Sequence, residues 1–309
     1  MLKVGTDCSG IEAPIQALKK LGIPFIHEFS CDNDKYVRKS IEANYSPNHY
    51  YEDITTRDNT TTPYVDLYVA GFPCQPFSAC GARRGIEDAR GTIFYNCLDY
   101  IQTQRPKHFI LENVIGILSI QGGELFNNIL TLLREIEGYN VEYVKLNTKD
   151  YGIPQNRRRV FIVGSREKTI DLKLLEKYKN PVFNIQDYID RTDTQTHNIP
   201  SSFIKYNTFE ILPTGSVFIT TNYMRHKNSK GEIKYKTFPT SHQYSPCLTA
   251  HAELWCVPMK RYVNVKECLR LQGFPDDFKQ VVSDAQMKKQ LGNSISVSVL
   301  QPIIQLLLS

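Results

Sequence analysis

The chain contains no run approaching the ~18 consecutive apolar residues that a bilayer span requires. Its opening, Met1-Leu2-Lys3-Val4-Gly5-Thr6-Asp7, turns polar too early for a secretory signal. The eight cysteines, Cys8, Cys31, Cys74, Cys80, Cys97, Cys247, Cys256 and Cys268, include no Cys-x-x-Cys pair, and no Cys/His set stands at zinc spacing. Both absences argue against a structural metal. No repeat of fixed period and no low-complexity tract is present. Neither sign of charge dominates: 37 basic against 32 acidic residues leave +5, which permits a nucleic-acid partner without requiring one. The expectation is a soluble intracellular chain of cytoplasm, nucleoid or nucleus, with reduced thiols that are mostly small core residues. What it does have is 309 residues, 41% of them apolar and 11% aromatic, enough to fill one large core or two smaller ones.

Short apolar runs at 2–6, 24–31, 65–70, 108–112, 141–146 and 160–163 alternate with helical spacings, Ile15-Leu18-Leu21, Tyr36-Ile41-Tyr45, Ile93-Cys97-Ile101 and Phe126-Leu130-Leu133. This alternation predicts an α/β fold, a doubly wound and mostly parallel sheet with helices on both faces. After Gly164 the texture becomes polar and loop-rich, then recovers at Val265-Cys268-Leu269-Leu271, and 295–308 reads as a closing helix interrupted at Pro302. The expected division is a catalytic and cofactor-binding domain at 1–169, a smaller loop-rich domain at 170–259, and a C-terminal segment, 260–309, that returns to the first domain.

Ligands of open α/β sheets bind beyond the carboxyl ends of the strands, so the residues following each strand carry the information. Thr6-Asp7-Cys8-Ser9-Gly10-Ile11-Glu12 reads either as a ligand-approaching loop at a helix start or as a plain strand-to-helix turn. Asp32, after the second run, reads as a ribose ligand or as a capping carboxylate. Asp53-Ile54 can take an adenine amino group and cover its ring, or be an ordinary turn. In Gly71-Phe72-Pro73-Cys74-Gln75-Pro76-Phe77-Ser78, two prolines flank one cysteine and fix the backbone around its thiol, which suits a nucleophile whose thiolate is the reactive form. Residues 79–91, with Gly81, Arg83, Arg84, Gly85, Arg90 and Gly91, read as a loop that closes over phosphates or as a solvated loop. Glu112 ends a strand beside the same edge, where an apolar setting can raise a carboxyl enough for proton donation. In Gln155-Asn156-Arg157-Arg158-Arg159, alternation aims Arg157 and Arg159 to one side and Arg158 to the other.

Taken together and in order, these blocks resemble the cytosine-5 DNA methyltransferase family, which uses S-adenosylmethionine. Further blocks are Arg90-Gly91-Thr92-Ile93-Phe94, Glu112-Asn113-Val114, Tyr151-Gly152-Ile153-Pro154, Leu271-Gln272-Gly273-Phe274-Pro275 and Gly292-Asn293-Ser294-Ile295. The resemblance implies a Rossmann-like class I methyltransferase fold with a target-recognition domain. It implies Cys74 as the nucleophile toward carbon 6 of cytosine, Glu112 at ring nitrogen 3, Arg159 at the carbonyl oxygen of position 2, and Gln155 and Arg157 bracing the site. For S-adenosylmethionine it implies Cys8, Ser9, Gly10 and Ile11 (the last two on the methionine side), Asp32 and Asn33, Asp53 and Ile54, Pro73 and Ile93, and Asn293, Ser294 and Ile295. No metal is implied. Four departures from the family pattern stand out: Thr6 and Cys8 where an acid and an aromatic are usual, with Asp7 displaced by one; Glu12 in the second glycine position; Asn33 in place of a stacking aromatic; Asn264 and Lys266 ahead of Glu267.

Base chemistry of this kind requires the target nucleotide to leave the stack. Ser78, Cys80, Arg83, Arg84 and Arg90, with Gln155, are the implied contacts to DNA, Arg90 as the phosphate clamp. A basic hairpin with Arg225, Lys227, Lys230, Lys234 and Lys236 around an Asn228-Ser229-Lys230-Gly231 turn either enters the major groove or touches phosphates only. The implied partner is duplex DNA met by a monomer, with no membrane; a cognate restriction endonuclease is compatible. Rival readings are a tRNA cytosine-5 methyltransferase, disfavoured by Gly71-Phe72 ahead of Pro73-Cys74, and a catalytically silent DNA-binding relative.

Overall fold

The computed structural model describes residues 1–73, 93–181, 183–200, 215–220, 243–251 and 253–309, and the backbone of 223–227 and 233–237. The chain forms two compact units, one of residues 1–146, 158–178 and 294–309, the other of 147–157 and 179–293.

The first unit is built on a seven-stranded sheet of strands β1 (Leu2–Asp7), β2 (Phe25–Cys31), β3 (His49–Tyr51), β4 (Leu67–Ala70), β5 (His108–Val114), β6 (Asn140–Asn147) and β7 (Arg158–Ser165). Their order is β3-β2-β1-β4-β5-β7-β6. Strands β3, β2, β1, β4 and β5 run parallel, and β7 is antiparallel to β5. Every strand expected from sequence is present, each within a few residues of its apolar run; β3 is additional. Helices α1 (Ala13–Leu21), α2 (Lys35–Asn44), α3 (Ile93–Gln104) and α4 (Glu124–Arg134) connect them. β4 is buried at every position, as a central parallel strand covered on both faces must be. At β1 a Cβ on Gly5 would lie 2.2 Å from the Phe29 ring, so only glycine lets that ring cross the strand.

The chain returns to this unit as α7 (Val297–Leu308), which packs on α1. Pro302 lies inside the helix and does not interrupt it, contrary to expectation. Burial of Val299, Leu300, Ile303, Ile304, Leu306 and Leu307 offsets the backbone bond that proline cannot make. The returning segment is also shorter than sequence suggests, because 260–293 belongs to the second unit.

The second unit holds the three-stranded sheet β12-β11-β8 of Phe218–Thr220 (β8), Leu254–Cys256 (β11) and Arg261–Tyr262 (β12), and the hairpin of β9 (Tyr223–Lys227) and β10 (Ile233–Thr237). Its helices are α5 (Val265–Gln272) and α6 (Asp284–Asn293). Asn264 caps α5 reciprocally: its side chain accepts from Glu267 N at 3.0 Å, while Glu267 Oε2 accepts from Asn264 N at 3.0 Å. Arg261, fully buried, donates both Nη atoms to the Glu267 carboxylate at 2.9 Å. Among the described residues one stretch, 284–308, has the length and hydropathy of a membrane span, and 72% of its apolar window is buried in the protein.

Candidate active site

The loop from β1 to α1 takes three left-handed residues, Cys8 at φ 48°, Gly10 at φ 53° and Glu12 at φ 61°. Only glycine adopts that conformation freely, so polar contacts must hold the other two. Ser9 Oγ accepts from Cys31 N at 2.9 Å and lies 3.0 Å from the Thr6 carbonyl to which it donates. Glu12, fully buried, turns its carboxylate back beneath the loop, where Oε1 accepts from Thr6 Oγ1 at 2.7 Å and Ser30 Oγ at 2.6 Å, with His27 Nε2 at 3.4 Å. Glutamate in the second glycine position therefore does not occupy the space above the loop. A Cβ on Gly10 would meet nothing within 4 Å, which leaves room there for a ligand approaching the start of α1.

At the end of β2 the cap of α2 is Asp34, whose side chain accepts from Tyr36 N at 2.9 Å. Asp32 is left to bridge two other donors, Gly10 N on Oδ2 and Asp34 N on Oδ1, each at 3.0 Å. Burial pushes the Asp32 carboxyl upward and these two N–H groups pull it back. Burial likewise pushes the Cys8 thiol well above its ordinary value, which disfavours the thiolate. Asp53 Oδ1 accepts from both Thr55 N at 2.8 Å and Thr55 Oγ1 at 2.7 Å, and this turn buries Ile54 in the core. Ile93, half-buried, opens α3, and Asn33 and Pro73 are exposed.

Glu112 and Arg159 come together through strand register. In the antiparallel pair, Glu112 faces Phe161 and Val114 faces Arg159, which makes Glu112 and Arg159 diagonal neighbours on one face. Arg159 Nε lies 3.0 Å from Glu112 Oε1, and the two side chains are 15% and 9% exposed. Arg159 Nη1 also donates to Arg158 O at 2.8 Å. A Cβ on Gly71 would sit 3.6 Å from Glu112 Oε2 and 3.7 Å from Ile295 Cδ1, so Gly71 lies beside this carboxylate. Ser294, buried, donates to Ile295 O at 2.9 Å. Sequence reading assigned no task to Asn113, yet its Nδ2 donates to Phe72 O at 2.8 Å, two residues before Cys74. Its place between Glu112 and Val114 on an alternating strand, facing away from both, was the available signal.

In the second unit Arg157 is buried and its guanidinium is engaged by Leu248 O at 2.6 Å, Gly292 O at 3.0 Å and Cys247 Sγ at 3.3 Å. Gln155, expected to touch DNA, is fully buried: Nε2 donates to Leu271 O at 2.7 Å and Oε1 accepts from Leu248 N at 2.9 Å. Its amide is committed to backbone on both sides, which makes it an internal brace. Asn293 is exposed at the end of α6. The expected residues Cys74, Ser78, Cys80, Arg83, Arg84 and Arg90 lie outside the described residues, as do the side chains of Arg225, Lys227 and Lys234. Among the described residues no group of three or more His, Cys, Asp or Glu could hold a metal.

The family model of the C-5 cytosine-specific DNA methylases matches residues 7–309. The chain belongs to this family. It is 34% identical over 283 residues to the Type II methyltransferase M.NgoBI of Neisseria gonorrhoeae, covering 88% of this chain and 83% of that one. To M1.ScrFI of Lactococcus lactis subsp. cremoris it is 34% identical over 290 residues, covering 91% and 71%. The fold is that of the S. pombe Dnmt2 methyltransferase, with a TM-score of 0.75 at 22% identity over 100% of this chain and 98% of that one. A methyltransferase of an E. coli prophage superposes with a TM-score of 0.69 at 19% identity, covering 100% and 99%. This C-5 cytosine-specific DNA methylase therefore carries the class I methyltransferase sheet, and its activity is methylation of cytosine at carbon 5 in DNA.

Proposed function

We propose that this methylase acts on a flipped cytosine within a short duplex sequence, with Cys74 as nucleophile, Glu112 and Arg159 on the pyrimidine ring, and S-adenosylmethionine as methyl donor. The observation that carries this reading is the Glu112–Arg159 pair, 3.0 Å apart beside Gly71, three residues ahead of Cys74 in the chain. Carbon 5 of cytosine is a poor nucleophile while the ring is aromatic. Addition of the Cys74 thiolate forms a sulfur–carbon 6 bond and moves the electron pair of the 5,6 double bond toward carbon 5. Glu112 holds a proton at ring nitrogen 3 and Arg159 donates to the position 2 oxygen, so the charge that builds on the ring is met by fixed groups. With the methyl on carbon 5 and S-adenosylhomocysteine as the leaving group, the carbon 5 proton passes to water as base, its electron pair re-forms the 5,6 bond, and the Cys74 thiolate is expelled. Asn113, by holding Phe72 O, fixes the backbone that leads to the nucleophile.

S-adenosylmethionine would supply an electrophilic sulfonium methyl. The residues of the first unit fit it: open space above Gly10, the start of α1, the Asp32 carboxylate, the Asp53-Ile54 turn and Ile93 lie along one sheet edge. Gly10 and Ile11 would take its methionine side, Asp32 its ribose, Asp53 and Ile54 its adenine, and Ser294 and Asn293 its amino-acid end. The second unit, with its basic hairpin, would select the target sequence, and similarity to Type II methyltransferases supports a cognate restriction endonuclease as companion.

The test is mechanism-based trapping. Duplex DNA carrying 5-fluorocytosine at the target should leave a covalent adduct on Cys74 in the presence of S-adenosylmethionine, and Cys74→Ser should leave none. An adduct on another residue, or methyl transfer to tRNA with none to duplex DNA, would overturn the reading.

A further inference from the structure

Asp7 stands one place away from the acid of the family pattern, and the structure gives it a different employment. Its side chain is fully buried and receives both ends of the Arg57 guanidinium, Nη1 on Oδ1 at 2.5 Å and Nη2 on Oδ2 at 2.7 Å. Tyr68 donates its hydroxyl to the same Oδ2 at 2.6 Å. The Arg57 side chain is 1% exposed and its Cζ stands 5.0 Å from the Phe29 ring centroid, 5.2 Å from Tyr51 and 5.4 Å from Tyr100. Its remaining Nε donates to Asn59 Oδ1 at 3.1 Å. Asn59 Nδ2 in turn donates to Asp99 Oδ2 at 2.7 Å and Asn96 O at 3.2 Å, both on α3.

Three segments that face the cofactor edge thus meet at one guanidinium. Asp7 immediately precedes the Cys8–Gly10 loop, Arg57 follows Asp53-Ile54 by three residues, and α3 begins at Ile93. None of the groups that join them reaches the open space above Gly10, so the cluster acts through those segments and not by contact. Taking two charges out of water is costly, and a buried pair is often no more stabilising than an apolar replacement of the same volume. What such a pair does supply is fixed geometry, because a two-pronged guanidinium–carboxylate contact with Nε engaged as well tolerates little displacement.

We propose that Arg57, with Asp7 and Tyr68, is a positioning residue for the adenosyl donor: it holds the Gly10 loop, the Asp53-Ile54 turn and the start of α3 at the spacing the donor requires. This rests on the reading of that sheet edge as the S-adenosylmethionine site.

The experiment is calorimetric titration of the full chain with S-adenosylhomocysteine, which binds without turnover, alongside KM for S-adenosylmethionine and for DNA. Arg57→Met should weaken S-adenosylhomocysteine about tenfold or more and raise KM for the methyl donor in step, with KM for DNA within about twofold of the parent. Tyr68→Phe, which keeps the ring, should weaken it several-fold, and Asp7→Asn combined with Arg57→Met should be little worse than either alone. An Arg57→Met protein that is folded, melts lower and binds S-adenosylhomocysteine like the parent would overturn the inference by reducing the cluster to a fold brace. Should Arg57→Met not fold, Tyr68→Phe and Asn59→Ala decide instead, and unchanged affinity in both overturns it. Absence of binding by the parent protein is a different failure: it removes the cofactor reading, and this inference with it.

Discussion

Glu112 Oε1 and Arg159 Nε are 3.0 Å apart because β5 and β7 are antiparallel in a register that makes the two residues diagonal neighbours. Replacing the carboxylate by its amide keeps the shape and removes both the ion pair and the acid that the proposed mechanism uses at ring nitrogen 3. Glu112→Gln should lower single-turnover methyl transfer about 10²–10⁴-fold, the range for loss of a general acid or base. S-adenosylhomocysteine affinity should be unchanged. Near-normal transfer would show that ring nitrogen 3 needs no help from this side chain.

Arg157 spends its donors on the backbone of Leu248 and Gly292 within the second unit. Arg157→Met should therefore cost stability first, on the order of 2–4 kcal/mol from stranded carbonyls and the removal of a charge-assisted network. A lowered melting temperature checks it, and a variant with full stability and no activity would instead make Arg157 a direct participant.

The basic hairpin exists as an antiparallel pair in which Arg225 stands opposite Tyr235 and Lys227 opposite Ile233. Changing Arg225, Lys227 and Lys234 together to glutamine should flatten the slope of log affinity against log salt for duplex DNA by about 0.9 for each phosphate that is no longer neutralised. An unaltered slope would place the hairpin off the nucleic acid.

His108, buried on β5, has Nδ1 3.0 Å from Ser165 Oγ and Nε2 3.7 Å from Glu167 Oε2. Burial lowers it to about 4 from 6.5; Glu167 and Asp66 act against that shift, and Lys168 and Lys107 with it. Between those values the unfolded chain binds the extra proton and the folded chain does not, so stability rises with pH across the window and is lost as pH falls through it. Melting temperatures measured from pH 7 down to about 4.5 should drop, and in His108→Gln the drop should be shallower. Parallel curves would mean other groups control the acid limb.

Much of the first unit was legible in the sequence because its strands are short apolar runs set between helices of clear periodicity. β3 was not: His49–Tyr51 is three residues of half-exposed edge with no apolar run to betray it. Nor does hydropathy report strand direction, so the antiparallel β7 that makes the Glu112–Arg159 diagonal had to be seen. Pro302 misled because proline's local cost was read without the burial that outweighs it. Helices α5 and α6 look the same in sequence whichever core they join, so the end of the second unit fell at 259 by texture and at 293 in the structure. The site residues were proposed from their order along the chain. The Asp7–Arg57 pair was invisible, since its partners are fifty positions apart and Arg57 belongs to no motif.

The chain enters the second unit twice, for 147–157 and again for 179–293, before its last sixteen residues rejoin the first. A transplant of the whole second unit therefore takes two separate pieces of chain. A chimaera that imports 179–293 from another enzyme keeps the host's Gln155 and Arg157, whose side chains are built to hold Leu248, Leu271 and Gly292 of the parent. On the proposed reading of this unit as the selector of target sequence, substitution along β9 and β10 is the route to new specificity that leaves those buried contacts intact.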